Sequence, residues 1–466
     1  MKPGVDQSKY NLPIDPEMED MMELLEKNMK GLSLNSEEKE LLRNSLKTGR
    51  FSKGASLVIT TLRKKGKHEA ADKIKDMAPL FDPHDFWDNQ PVPKMHEKID
   101  DTLCDRPIEE KKVSDVRQEE YNLSPGYFWS NLDLTDDAVA HELYSLLTYN
   151  YVEDEDAMFR FDYSVPFLRW ALLPPGQKPE WLLGVRGGKK QRLFGFISAI
   201  PVAMNINKIQ VPMVEINFLC VHKDLRAKRL APVLIKEITR RVNMHNIWQA
   251  VYTAGVTIPT PIANATYWHR SLNPKKLVEV RFSALPPGTP MSRFIRLHKL
   301  PAKPSIPGFR LMKKADVPRV HEMLNEYLSK MKLHVEFSVE EIEYFLLPRE
   351  GVIYSYVIED AKTITDFFSF YSLPSSVLKH PEHKMLNVAY SYYNVSTTNR
   401  LREGMEDLLV IARDLGYDVF NALDLMENKQ FLEQLKFGIG DGFLHYYLYN
   451  WRIKDYKPED LGMVLV

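Results

Sequence analysis

The chain has 466 residues, of which 44% are hydrophobic and 27% charged; this is globular composition with length enough for two or three domains and excludes a single small module. A formal net charge of −1 removes the broad basic footprint that a nucleic-acid partner would need, although a local basic cluster can still hold a small phosphorylated ligand. Cys104 and Cys220 are too few and too far apart for a disulfide framework or a cysteine-rich zinc site, so a reducing, cytoplasmic setting and no metal are expected.

The opening MKPGVDQSKY lacks the basic-then-apolar pattern of a signal peptide, and no later window has the uncharged apolar length of a membrane span. Position 2 is Lys2, so this chain is not expected to be acylated on its own N-terminus. Residues 1–78 predict a helical extension. Met18, Met22, Leu25 and Met29 recur at helical spacing, and Asn35 with Glu38 forms a capping pair ahead of Leu41, Leu42 and Leu46. No chemistry is evident there.

Proline-rich PLFDPHDFWDNQPVP (79–93) opens the main body, and LPAKPSIPG (300–308) divides it, giving expected units 79–299 and 300–466. The two units repeat one plan. LFGFISAIP (193–201) resembles DFFSFYSLP (366–374), each an apolar strand ending at proline. A second strand follows (213–221 against 387–395), then a helix (230–242 against 405–415), then a third strand (247–255 against 417–425). Four similarities in register argue for internal duplication of a mixed α/β unit.

Between the second strand and the helix lies HKDLRAKRLAP, which sets Lys223, Arg226, Lys228 and Arg229 at a helix N-terminus. Unpaired N–H groups and the helix dipole make such a turn after a buried strand a natural anion site. Leu230, Val233, Leu234, Ile238 and Val242 give that helix one apolar face. Cys220 and His222 point to one side of their strand without a third orienting group, so packing is the expected role of Cys220. GIGDG (438–442) lacks the lysine and hydroxyl of a phosphate loop and predicts a tight turn that delivers Asp441.

The basic turn resembles that of the acetyltransferase superfamily, with Arg226 at the arginine position, Ala231 at the last small position and Arg229 where glycine is usual. With that departure the sequence is more similar to N-myristoyltransferases, through DFWDNQPVPK (85–94), YVEDEDAMFRFDYS (151–164), EINFLCVHKDLRAKRLAPVLIKEITRRV (215–242), YTAGV (252–256), YWHRSLNPKKLVEV (267–280), NALDLMENKQFLEQLKFGIGDG (421–442) and the final MVLV. The resemblance implies two acetyltransferase-like (GNAT-type) units forming a saddle-shaped sheet flanked by helices. It implies an enzyme, a monomer, that moves myristoyl from myristoyl-CoA to the N-terminal glycine of proteins. The first unit would bind myristoyl-CoA through Asp85, Phe86, Trp87, Phe218, Leu219, Cys220, Val221, Arg226, Ala227, Lys228, Arg229, Leu230, Ala231 and Thr253. Backbone N–H groups of Phe218 and Leu219, freed by a β-bulge, would polarise the thioester. The carboxylate of Val466, in a docked terminal strand, would be the general base, with Asn217 and Thr253 around the amine. The second unit would bind the peptide in a groove formed with Tyr151, Asp154, Asp156, Phe159, Phe161, Tyr163, Gly255, Tyr267, His269, Phe282, Ser375, Tyr390, Asn421, Asp441 and Gly442. The acidic members would meet lysines that follow the glycine. The competing readings are a CoA-dependent acetyltransferase acting on another amine, which would show no preference for long acyl chains, and a lipid-binding scaffold, which would tolerate a blocked chain end.

Overall fold

The computed structural model describes residues 16–48, 50–81, 84, 86–94, 97, 104–152, 158–258 and 260–466. Asp85, Asp154 and Asp156 lie outside the described residues. The chain forms two compact units, Met1–Cys104 with Val256–Pro261, and Asp105–Gly255 with Ile262–Val466.

The first unit holds four helices, Pro16–Met29, Ser36–Lys47, Phe51–Lys64 and His68–Met77. The predicted cap is present: Asn35 Oδ1 accepts from Glu38 N at 2.8 Å, and Glu38 Oε2 accepts from Asn35 N at 2.9 Å. Leu25, Leu42, Phe51, Leu62 and Ile74 are fully buried in a core of their own, whereas Leu41, counted above with the apolar positions, faces solvent. Farther on, Phe86 and Trp87 meet edge to face at 5.1 Å. The Lys94 ammonium gathers the carbonyls of Trp87, Asp88 and Gln90 around itself, which shapes that segment into a tight loop.

The second unit is built on one fourteen-stranded mixed sheet. Strands Arg192–Ile206 and Ile209–Val221 form an antiparallel hairpin, the helix Leu230–Asn243 crosses over, and Gln249–Ala254 returns parallel to the hairpin's second strand. The same succession recurs in Thr363–Ser372, Val388–Ser396, the helix Leu401–Asp414 and Val419–Leu423. The predicted duplication is therefore visible as topology. Strand Arg192–Ile206 does not stop at Pro201, as the sequence pattern suggested, but runs through it to Ile206. The halves share strands: Gly438–Tyr449 from the second lies between Gln249–Ala254 and Ala263–Ser271 of the first. A small separate sheet pairs Phe159–Phe161 with Ser375–Val377.

Each repeat carries a bulge at the same place. In the first, pairing steps from Phe196↔Cys220 to Ser198↔Asn217, so Phe218 and Leu219 stand opposite Ile197 alone. In the second it steps from Phe368↔Asn394 to Phe370↔Ser391, so Tyr392 and Tyr393 stand opposite Ser369. There the Ser369 hydroxyl fills the gap, accepting from Tyr393 N at 3.0 Å and donating to Tyr393 O at 2.8 Å. Ile197 has no hydroxyl with which to do this.

Helix Leu230–Asn243 presses Leu234, Ile238 and Val242 onto Val185, Ile197 and Val214 of the sheet. Its position is fixed further by Glu237, fully buried, which takes hydrogen bonds from Arg240 Nη2 (2.7 Å), Arg241 Nε (2.8 Å) and Tyr121 N (3.0 Å). These contacts hold the Glu237 carboxyl below its ordinary range against the opposing effect of burial. Removing one partner of such a buried group strands the others, at a cost of about 3–5 kcal/mol. Glu237→Ala should therefore lower the unfolding free energy by about that amount in a denaturant melt, whereas exposed Glu69→Ala should change it by less than ~0.5 kcal/mol.

Candidate active site

Phe218 is bulky, 1% exposed, and held at φ +54°, a conformation that non-glycine residues adopt only under constraint. Its ring is clamped by Tyr163 (5.2 Å, edge to face) and Tyr151 (5.9 Å). The packing thus holds the strained backbone, and the strain turns the Phe218 amide out of the ladder. That amide donates to Asn217 Oδ1 at 2.8 Å.

The other end of the Asn217 amide points at the chain end. Its Nδ2 donates to the main-chain oxygen of Val466 and lies 3.5 Å from Glu215 Oε1. The tail is docked, but as a strand only over Leu461–Gly462, which runs beside Leu333 and His334. Beyond that point single bonds hold it: the Tyr446 hydroxyl donates to Met463 O at 3.1 Å, and Val464 N donates to the Tyr393 hydroxyl at 3.2 Å. Met463, Val464 and Leu465 are buried and Val466 is partly exposed.

Strands Ile209–Val221 and Gln249–Ala254 pair only from Met213↔Gln249 to Glu215↔Val251, although both continue. A gap opens past Glu215, bordered on one side by the bulge and on the other by Thr253, which pairs outward with Tyr446. Just beyond Val221, residues Lys223–Lys228 form a 3-10 turn, Arg229 takes a left-handed conformation at φ +55°, and the helix begins at Leu230 and Ala231 with no side-chain cap. The helix start thus presents N–H groups without a side-chain cap beside exposed Lys228 and Arg229. Arg226 points elsewhere: its guanidinium donates to Asn150 O at 2.5 Å and ties the turn to the end of helix Asp137–Asn150. Ala227 lies within the turn.

The groove residues come together from distant parts of the chain. Phe161 pairs with Ser375 and Phe159 with Val377 in the small sheet. Phe282 stands edge to face with both Phe159 (5.9 Å) and His269 (5.4 Å). Asn421 pairs with His269 on one side and Tyr390 on the other, and its Oδ1 lies 2.7 Å from His269 Nδ1. Tyr267 meets Tyr390 at 6.4 Å, and Tyr390 stacks on Tyr371 at 5.2 Å. Tyr371 is not among the groove residues expected from sequence, because an alternating aromatic strand reads as core. Burial pushes the His269 imidazole below its ordinary value, so it is neutral at neutral pH. GIGDG does not form the predicted turn. It belongs to strand Gly438–Tyr449, whose pairing with Ala263–Ser271 breaks between Ile439 and Phe443, so Asp441 and Gly442 sit in a broad bulge. The reason is steric: a Cβ on Gly440 would lie 2.4 Å from His269 Nε2, and its absence lets the strand run close past the imidazole. Gly255 closes the strand Gln249–Ala254 side and has open space around it, the nearest atom to an added Cβ being Phe443 O at 4.0 Å.

The sequence model for the family described as Myristoyl-CoA:protein N-myristoyltransferase, N-terminal domain, matches residues 107–265, and that for its C-terminal domain matches residues 279–464. The chain belongs to the N-myristoyltransferase family. It is 52% identical over 387 residues to glycylpeptide N-tetradecanoyltransferase 1 of Arabidopsis thaliana, covering 82% of this chain and 89% of that protein. It is 51% identical over 399 residues to the Drosophila melanogaster glycylpeptide N-tetradecanoyltransferase, covering 85% and 84%. The crystal structure of the Saccharomyces cerevisiae N-myristoyltransferase with bound myristoyl-CoA superposes with a TM-score of 0.79 at 41% identity, covering 82% of this chain and 99% of that one. The chain is accordingly an acyltransferase with the family's mixed α/β fold. Helices Pro16–Met29 to His68–Met77 lie outside both family matches.

Among the described residues no helix is long and apolar enough to cross a membrane, and no group of three or more His, Cys, Asp or Glu could hold a metal ion. In this N-myristoyltransferase-family site Cys220 is packing, as its sequence context suggested. Its thiol is 2% exposed, faces Leu146 O at 4.0 Å, and is pushed up to about 12 by burial, while His222 Nδ1 accepts from Asp224 N at 3.3 Å. A covalent acyl-cysteine is thereby disfavoured, because the thiolate is the nucleophile. Cys220→Ala should keep kcat/KM within about threefold and lower stability by ~1–2 kcal/mol through lost packing; loss of activity by a hundredfold or more in steady-state assays would restore the covalent route.

Proposed function

We propose that this chain transfers myristoyl from myristoyl-CoA to the N-terminal glycine amine of proteins by direct attack, with the Phe218 and Leu219 amides as oxyanion hole and the Val466 carboxylate as base. The observation that carries this reading is the single Asn217 side chain, which touches both the bulge amide and the Val466 oxygen. An electrophile held at one and an amine at the other are brought within attack distance of each other.

The donor enters with its phosphates at the uncapped turn of Lys228, Arg229, Leu230 and Ala231 and its thioester at the splayed gap. About a dozen methylenes at ~0.8 kcal/mol each let acyl burial outweigh phosphate contacts in affinity. The thioester carbonyl takes over the Phe218 hydrogen that Asn217 holds in the free enzyme, and adds that of Leu219. The peptide threads along Phe159, Phe161, Tyr163, Phe282 and Ser375, with His269 and Asn421 beneath it. Exposed Asp441 receives a lysine that follows the glycine, as do Asp154 and Asp156.

The substrate's ammonium gives one proton to Val466, the nitrogen attacks, and the C–N bond forms as the carbonyl electrons move onto oxygen. The oxyanion then collapses, the C–S bond breaks, and the thiolate leaves with the second amine proton. A free α-carboxyl near ~3.5 and an α-amine near ~7.8 make the first step uphill by about 6 kcal/mol. Burial of the tail and desolvation of the ammonium narrow that gap.

Three outcomes test the reading. Changing the peptide's glycine to alanine should nearly abolish transfer, since a Cβ would intrude where backbone and thioester approach. Asp441→Lys should raise KM for lysine-containing peptides far more than for lysine-free ones. Extending the chain by one glycine beyond Val466, or deleting the last two residues, should lower kcat by about a hundred- to ten-thousand-fold, with myristoyl-CoA binding near normal by calorimetry, whereas Val466→Leu should be mild. Full kcat in the extended enzyme would exclude the terminal carboxylate as base.

A further inference from the structure

Glu215 is a carboxyl group that the mechanism above does not use. It lies two residues before Asn217 on the bulged strand, and so on the same face. It is 8% exposed. With Val466 it lines a partly open cavity of about 30 Å³, together with Glu341, Tyr392 and Tyr393. The groups that face it are the Asn217 amide from its own strand, the Val466 oxygen from the tail, Glu341 from helix Val339–Leu346, Tyr392 and Tyr393 from strand Val388–Ser396, and Tyr446 from strand Gly438–Tyr449. Glu341 is turned to its own helix end, where it accepts from Ser338 N at 2.7 Å. Among the described residues that line the cavity, none is cationic.

Two carboxyl groups that share one amide donor in an apolar pocket without a cation cannot both ionise. One proton stays with the pair. The α-carboxyl is intrinsically the stronger acid, at about 3.5 against about 4.3 for glutamate. Val466 also has the closer contact to Asn217 Nδ2, while Glu215 stands off at 3.5 Å.

We infer that Glu215 is a positioning residue that keeps a proton and leaves Val466 as the only anion of the two carboxyls at the Asn217 amide, the two acting as a pair that shares one proton. This rests on the reading of Val466 as the base. Glu215 gains and loses nothing during turnover: the ammonium proton goes to Val466 and from there to solvent. Burial pushes the Glu215 carboxyl up to about 8, so it is neutral through neutral pH and ionises on the alkaline side. Once ionised, its charge would hold the substrate as ammonium and oppose the developing oxyanion.

The test uses the full chain and Glu215→Gln, a neutral isostere of the protonated side chain. With myristoyl-CoA and a glycine-initiated peptide, kcat at neutral pH should stay within about threefold of the parent, because the charge state is unchanged. The ratio of variant to parent kcat should then rise severalfold from about pH 7 to about pH 9; taking the ratio cancels titration of the peptide amine. A loss of about a hundredfold or more at neutral pH would make Glu215 itself the base and overturn the proposal. So would a ratio that is flat with pH.

Two readouts need no turnover. Difference infrared spectra of parent against variant at neutral pH should show one protonated-carboxyl stretch that the variant lacks; its absence overturns the proposal whatever the fate of the Val466 assignment, which the glycine-extended enzyme tests separately. The folded-state pKa lies above the unfolded one, so the stabilisation is complete below about pH 4.5 and is lost as pH rises through about 8. The parent's Tm should therefore fall relative to that of Glu215→Gln across this window, and parallel curves would overturn the assignment.

Discussion

The site depends on one primary amide. Asn217 accepts from the Phe218 N–H with its oxygen and gives its hydrogens toward Val466 and Glu215, so a single side chain couples the strained strand, the chain end and a buried acid. An amide suits all of these contacts because it carries donor and acceptor at once and no charge. A carboxylate in its place would repel both carboxyl groups, and an aliphatic residue would leave a turned-out amide unsatisfied in a buried site.

Around that amide the interior is built largely of tyrosine. Tyr163, Tyr371, Tyr392 and Tyr446 have their phenol pKa values raised well above the ordinary range, chiefly by burial and then by neighbouring tyrosines and, at Tyr392 and Tyr446, by Glu215, so they remain neutral hydrogen-bonding groups at any physiological pH. Such a wall excludes water while still offering hydroxyls where the tail needs them, as at Met463 and Val464. Excluding water strengthens the electrostatics of any charged groups held within such a wall.

Much of the plan was legible from residues alone. The apolar face of Leu234, Ile238 and Val242 and the repeated order of elements are properties of spacing, which survives into the fold because burial enforces it. The Phe218 backbone was not legible in this way. A phenylalanine inside an apolar run reads as ordinary core, and its side chain is ordinary core; only the two-against-one count with Ile197 reveals the bulge, and that count belongs to the partner strand. The pairing of Phe161 with Ser375 is hidden for a similar reason, since it joins residues far apart in the chain. Glu215 gave one signal, the single charge in its strand, but its meaning lies in the absence of any cation near it among the described residues that line its cavity. GIGDG misled because glycine marks close approach as well as turns, and here the approach is to His269.

The second repeat has its own bulge, and its fate divides labour between copies that began alike. With the Ser369 hydroxyl bonded to the Tyr393 amide, that amide is already occupied within the second repeat. The residue so retired serves in another way, because the Tyr393 hydroxyl takes the Val464 N–H and moors the tail whose last oxygen reaches Asn217 in the first half. One bulge is thus joined through Asn217 to the chain end, and its counterpart is the cleat that ties the tail beside it.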